Sequence, residues 1–179
     1  MDYNQVINVV KSNNFNEFQR ILEDESFDIN YRYGGDKNLL HVLIDNNADT
    51  SYIKAALEKG VDIESQWVME ETPLQNAIYS KSSNSNETVK MLLQHGADTD
   101  IVKDGKSLLY YAIENGNGIK GQYLLSHGAS TNPISNDKPL ALLFLSNAIA
   151  DERYYQALDH LIKNKDLDIN HKNEKGNSI

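Results

Sequence analysis

The side chains able to do chemistry in this 179-residue chain are few and scattered. Its five histidines, His41, His95, His127, His160 and His171, include no pair four residues apart, the spacing that would put two metal ligands on one helical face. With no cysteine there is no thiolate nucleophile, no disulfide framework and no Cys-based zinc site. Neither a G-x-S-x-G string nor a P-loop occurs, and the run from Gly116 to Gly121 lacks the lysine and Ser/Thr ending that phosphate cradling requires. Members of a Ser/His/Asp site lie far apart in a chain, and nothing here marks one. The adjacent Glu70 and Glu71 stand in a polar stretch and read as solvated charge. These residues point away from an enzyme and imply neither cofactor nor metal.

What remains is the chemistry of contact. Trp67 is the sole tryptophan and is followed by Val68 and Met69; Tyr31, Tyr33, Ile101, Val102 and Ile134 likewise interrupt polar stretches. The acids Asp62, Glu64, Glu70 and Glu71 bracket the tryptophan. Apolar anchors ringed by polar groups supply most of the energy of a protein interface, so these residues form the candidate binding surface. In the competing arrangement Trp67 folds back on its own stretch or on an adjacent one. Tyr154 and Tyr155 read as half core and half surface.

The elements that hold these residues come from two interleaved series. SFDIN (Ser26 to Asn30), GVDIE (Gly60 to Glu64), GADTD (Gly96 to Asp100), GASTN (Gly128 to Asn132) and DLDIN (Asp166 to Asn170) start 34, 36, 32 and 38 residues apart. Between them NLLHVLI (Asn38 to Ile44), TPLQNAI (Thr72 to Ile78), SLLYYAI (Ser107 to Ile113) and KPLALLF (Lys138 to Phe144) start 34, 35 and 31 apart. One shared period means one repeated unit. Leu74, Ala77 and Ile78, then Val89, Leu92 and Leu93, fall at helical spacing and give each repeat two apolar stripes. Thr72 and Ser107 suit helix N-caps, with Pro73 and Pro139 in first turns. Gly60, Gly96 and Gly128 suit left-handed helix ends. Ser26 and Asp166 replace that glycine, so those two ends are expected to be locally different or slightly strained.

TPLQNA (Thr72 to Ala77) and LLHVL (Leu39 to Leu43), with LLQHGAD (Leu92 to Asp98) and LLSHGAS (Leu124 to Ser130), resemble the signature strings of the ankyrin-repeat family, and the likeness runs over nearly the whole chain. The resemblance implies an all-α solenoid of about five helix-turn-helix repeats with β-hairpin-like fingers, over 1–34, 35–68, 69–103, 104–136 and 137–174 of a single domain, 1–179. Helices are expected to start near Asn38, Thr72, Ser107 and Lys138. The resemblance also implies that His41 joins adjacent turns by hydrogen bonding, and that finger tips and exposed first-helix sides bind protein. The candidate residues are then Tyr31, Tyr33, Glu64, Trp67, Val68, Met69, Glu70, Glu71, Ile101 and Val102.

Departures from the period locate irregularities. Extra residues in SKSSNSN (Ser80 to Asn86) are expected to make a protruding, mobile loop, and Ser146 to Gln156 to hold a longer helix or bent linker. The polar residues Asn4, Gln5, Asn8 and Asn13 suit repeat 1 as a terminal cap. Residues 175–179 open a further repeat, as at a cut end or a natural stub.

Charge narrows the partner. The formal net charge is −9, and residues 1–100 carry all of it, with 17 acidic against 8 basic side chains. Such a surface repels phosphate and lacks the basic stripe that nucleic acid requires, so the expected partner is a basic protein. No run of 18 apolar residues occurs, and MDYNQVINVVKSNN carries no leader-like stretch, so neither membrane span nor signal peptide is expected. The reading is a cytoplasmic, monomeric, non-enzymatic scaffold, with an enzyme of unrecognised site and a purely structural spacer as the lesser alternatives. Two roles compete within it: an inhibitor or immunity protein against a microbial toxin, and the ankyrin module of a larger bacterial effector, secreted without a classical signal peptide, that acts on host proteins.

Overall fold

Three of the expected helix starts carry a short polar side chain that reaches back over the first turn. The computed structural model describes residues 3–131, together with Asp159 and Lys163. Ile134, Lys138, Pro139, residues 146–156 with Tyr154 and Tyr155, His160, Asp166, His171, residues 175–179 and, Asp159 and Lys163 aside, the rest of the fifth repeat lie outside the described residues. The described chain contains α1 (Tyr3–Lys11), α2 (Phe15–Glu23), α3 (Leu39–Asp45), α4 (Thr50–Glu58), α5 (Pro73–Tyr79), α6 (Ser85–Gln94), α7 (Leu108–Glu114) and α8 (Gly118–Ser126). Asn38 caps α3, Thr72 caps α5 with Pro73 in its first turn, and Ser107 caps α7, each side chain accepting the backbone N–H three residues on. The eight helices make four pairs joined by fingers, as the resemblance implies.

Two compact units are present, Met1–Ala97 and Asp98–Ile179. In the first, α2, α4 and α6 pack in series, while α3 packs on both α4 and α5. Leu39, Leu40, Leu43, Ile53, Ala56, Leu74, Ala77, Val89 and Leu92 fill the space between these layers. In the second, α7 packs on α8 around Leu108, Leu109, Ile113 and Leu124. The spacing G-x-G-x-x-G from Gly116 to Gly121 has a structural reason here. Gly116, at φ +75°, follows α7, and a Cβ on Gly121 would lie only 2.4 Å from Ile113 Cδ1. The run therefore joins two closely packed helices, whereas dinucleotide binding needs a strand before it.

The recurring acidic string after each of the first three helix pairs is an Asx turn. Asp28, Asp62 and Asp98 each accept the N–H two residues on, at 2.9, 3.1 and 2.9 Å. The residue so placed then holds the next repeat: Asn30 Oδ1 accepts the Asp62 N–H at 2.8 Å, and Asp100 Oδ1 accepts the Ser130 N–H at 2.9 Å.

The end at Ser26 is locally different, as expected: α2 ends earlier, at Glu23, and Asp24 accepts both the Ser26 N–H and its hydroxyl, at 2.8 and 2.7 Å. These bonds, the hydroxyl's first, hold the Asp24 carboxyl below its ordinary range. The protruding loop expected at SKSSNSN is corrected. It is a short link, with α6 beginning at Ser85 and Asn84 Nδ2 tying it to the Ala48 carbonyl at 3.2 Å.

Candidate protein-binding surface

Finger 1 turns over Gly34–Asp36, closed by the Tyr33 N–H donating to the Lys37 carbonyl at 2.8 Å. Finger 2 turns between Trp67 and Glu71 with Glu70 at φ +58°. Finger 3 is a true hairpin: β1 (Val102–Lys103) pairs antiparallel with β2 (Lys106–Ser107) across Asp104 and Gly105, both in the left-handed region that such a turn demands.

Fingers 1 and 2 are tied together. The Val68 N–H donates to the Gly35 carbonyl at 3.1 Å. The Arg32 guanidinium donates to the Asp36 and Gln66 carbonyls, 3.1 Å each, and to the Ser65 hydroxyl. At φ +76°, Gly35 adopts freely a conformation that other residues resist, and its α-carbon faces Trp67 and Val68.

The expected exposed row divides into two sets. Tyr31 (50%), ahead of the finger 1 turn, and Val68 (62%) and Met69 (55%), in the finger 2 turn, are exposed; Glu64 and Glu70 are exposed as well and Glu71 is half-buried. Tyr33 is corrected from tip to interior: it is buried, and its ring meets Tyr31 edge to face at 5.2 Å. Trp67 is half-buried against finger 1, with the Lys37 ammonium 4.2 Å from its ring centroid, so it folds back on an adjacent finger. Its indole N–H is buried without an acceptor among the described residues. Ile101 is half-buried and Val102 exposed, both in the second unit.

The histidines are scaffold groups where described. His95 and His127 follow α6 and α8, each with Nδ1 2.8 Å from the carbonyl four residues back. His41 is fully buried; its Nε2 donates to the Glu71 carbonyl at 3.0 Å, joining α3 to finger 2. Burial dominates in holding His41 below the ordinary imidazole range; the Glu71 bond and Asp45 oppose, and Lys37 and Arg32 add to the lowering. A folded pKa depressed below the unfolded 6.5 contributes stability above pH 6.5 that is lost as pH falls through the folded value. Wild type should therefore lose melting temperature on acidification below about pH 6.5. His41→Gln should delay that loss to the carboxylate range, since Gln75 already fills the equivalent place in repeat 3 and accepts the Thr72 N–H at 2.8 Å. Melts at successive pH values check this, and parallel profiles would show that His41 is not the titrating group.

No sequence signal marked Lys37, Asp45 or Asn76, yet they form the side of this surface. Lys37 Nζ lies 2.5 Å from Asp45 Oδ2, and Asn76 Nδ2 donates to the other oxygen at 2.9 Å. The contacts cross 8 and 31 residues of chain, which only a fold brings together.

The comparisons agree with this architecture. The family model for ankyrin repeats (three copies) matches residues 6–103, 31–137 and 82–173. Among solved structures, the ankyrin repeat protein EF0377 is similar at 18% identity, with TM-score 0.71 over 99% of this chain and 89% of that one. An ankyrin repeat domain from Acinetobacter baumannii AYE gives 20%, 0.73, 98% and 87%. The structure of the predatory endopeptidase Bd0816 from Bdellovibrio bacteriovorus in complex with immunity protein Bd3460 gives 21%, 0.67, 97% and 86%. No curated protein matches the sequence.

Proposed function

Because the chain belongs to the ankyrin-repeat family, whose members generally serve as non-enzymatic protein-interaction scaffolds, we propose that it grips a basic protein through the tips of fingers 1 and 2. The observation that carries the reading is the exposure of Tyr31, Val68 and Met69 among Asp36, Asp62, Glu64 and Glu70. Apolar side chains stabilise the docked state, and the acids attract a positive partner during encounter. The charge agrees, since residues 1–100 hold the whole excess of −9. Of the biological roles, the inhibitor or immunity function draws support from the fold's likeness to the immunity-protein complex. It would act by covering a toxin's surface.

The test is affinity capture followed by kinetics on the captured protein. Tyr31→Ala and Trp67→Ala should each weaken binding by about 2 kcal/mol, the scale of an aromatic hot spot, through faster dissociation. Reversing Glu64, Glu70 and Glu71 together should slow association and flatten its salt dependence. An acidic partner, or one bound equally well by all these variants, would move the interface elsewhere.

A further inference from the structure

In repeat 2 the chain keeps a cation between an aromatic face and a carboxylate. The Lys37 ammonium lies 4.2 Å from the Trp67 ring centroid and 2.5 Å from Asp45 Oδ2, while Asn76 holds the second Asp45 oxygen at 2.9 Å. Asp45 is held by its place at the end of α3 and by Asn76, and Trp67 stands next to Val68, whose N–H ties finger 2 to the Gly35 carbonyl of finger 1. Lys37 itself keeps 23% of its side-chain surface exposed, on a flexible stem with a route to water.

Repeat 4 builds a related arrangement, with its aromatic rings on the helix that follows the lysine and not on the next finger. Lys106 immediately precedes the helix cap Ser107, as Lys37 precedes Asn38, and each lysine meets an acid eight residues on. Lys106 Nζ is 3.0 Å from both oxygens of Glu114 and lies over Tyr110 at 4.9 Å and Tyr111 at 5.7 Å. Its pKa is raised, the Glu114 hydrogen bond being the main cause. Finger base and helix end thus converge on one chemistry twice.

An aromatic face and a carboxylate suit a guanidinium better than an ammonium. Guanidinium stacks flat, is weakly hydrated and binds a carboxylate through two parallel N–H donors. We propose that Trp67 and Asp45 form a seat for an arginine of the partner protein, which the chain's own Lys37 fills until that arginine displaces it. The inference rests on the basic-partner reading above and assigns the residues that would select the partner's side chain.

Trp67 is the only tryptophan, so its emission reports on the seat. Lys37→Ala opens the seat, Lys37→Ser provides a second opening if alanine disturbs the fold, and Lys37→Met keeps the stem in place without charge. The probe is N-acetylarginine amide, with the uncharged N-acetylcitrulline amide as control at equal ionic strength. The opened variants should show a saturable emission change with a midpoint on the order of 10 mM. Citrulline should leave emission unchanged, as should the arginine probe with Lys37→Met. Adding Asp45→Asn to an opened variant should weaken the response roughly tenfold. No saturable response in either opened variant, or an equal response to citrulline, overturns the seat. Against a captured partner, Lys37→Ala should bind more tightly, whereas a lysine that merely pins finger 1 would make the variant bind less well. A basic partner whose affinity is unchanged by Lys37→Ala and Asp45→Asn overturns the seat and leaves the proposed function standing. An arginine-binding seat in a chain whose partner is acidic does the reverse.

Discussion

Phe18→Ala lowers the unfolding free energy by about 3–5 kcal/mol, the cost of removing a fully enclosed aromatic ring. Phe18 in α2 is completely buried, its centroid 4.8 Å from Tyr52 and 6.4 Å from Phe15, while Phe15 meets Tyr52 edge to face at 5.1 Å. This cluster fastens α2 to α4, so its loss frees the first repeat before the others. Urea unfolding gives the magnitude, and amide exchange should show α1 and α2 losing protection first. The hydroxyl of Tyr52 provides an internal control. It is buried without a partner among the described residues, and burial pushes its pKa up. Tyr52→Phe should therefore be neutral or stabilising, because it deletes an unsatisfied polar group and keeps the ring. A costly Tyr52→Phe with a mild Phe18→Ala would mean that the repeat is held by the hydroxyl.

Leu109→Ala should cost about 2–5 kcal/mol, again by opening a cavity. Leu109 lies in α7, is fully buried, and has its Cδ1 3.8 Å from where a Cβ on Gly121 would stand. Because α8 presents a glycine at this contact, it has no side chain that could swing in to refill the space. Ser83→Ala, at an exposed position of the link before α6, should change stability by no more than about 0.5 kcal/mol. Both are read from the midpoint and slope of denaturant curves. Equal effects would mean that the repeat register placing Leu109 inside is wrong.

The sequence by itself determined the repeat, the helix starts at Asn38, Thr72 and Ser107, and the left-handed ends at Gly60, Gly96 and Gly128. These depend on caps and backbone dihedrals, which act over three or four residues and are therefore written at one place in the chain. His41 was legible for a related reason, since its signature position points it at the next finger. Only the tertiary structure decided which finger residues face out. Tyr31 and Tyr33 are alike in type and two residues apart, yet one is exposed and the other buried: the Tyr31 N–H closes a turn on the Asp28 carbonyl, whereas Tyr33 is bridged to Lys37. The same limit applies to Trp67, whose neighbour Lys37 lies thirty positions upstream, and to Asp45, held by Asn76 across 31 residues. Short-range preferences build each repeat, but the proposed contact surface is made by side chains that meet only after the repeats have stacked.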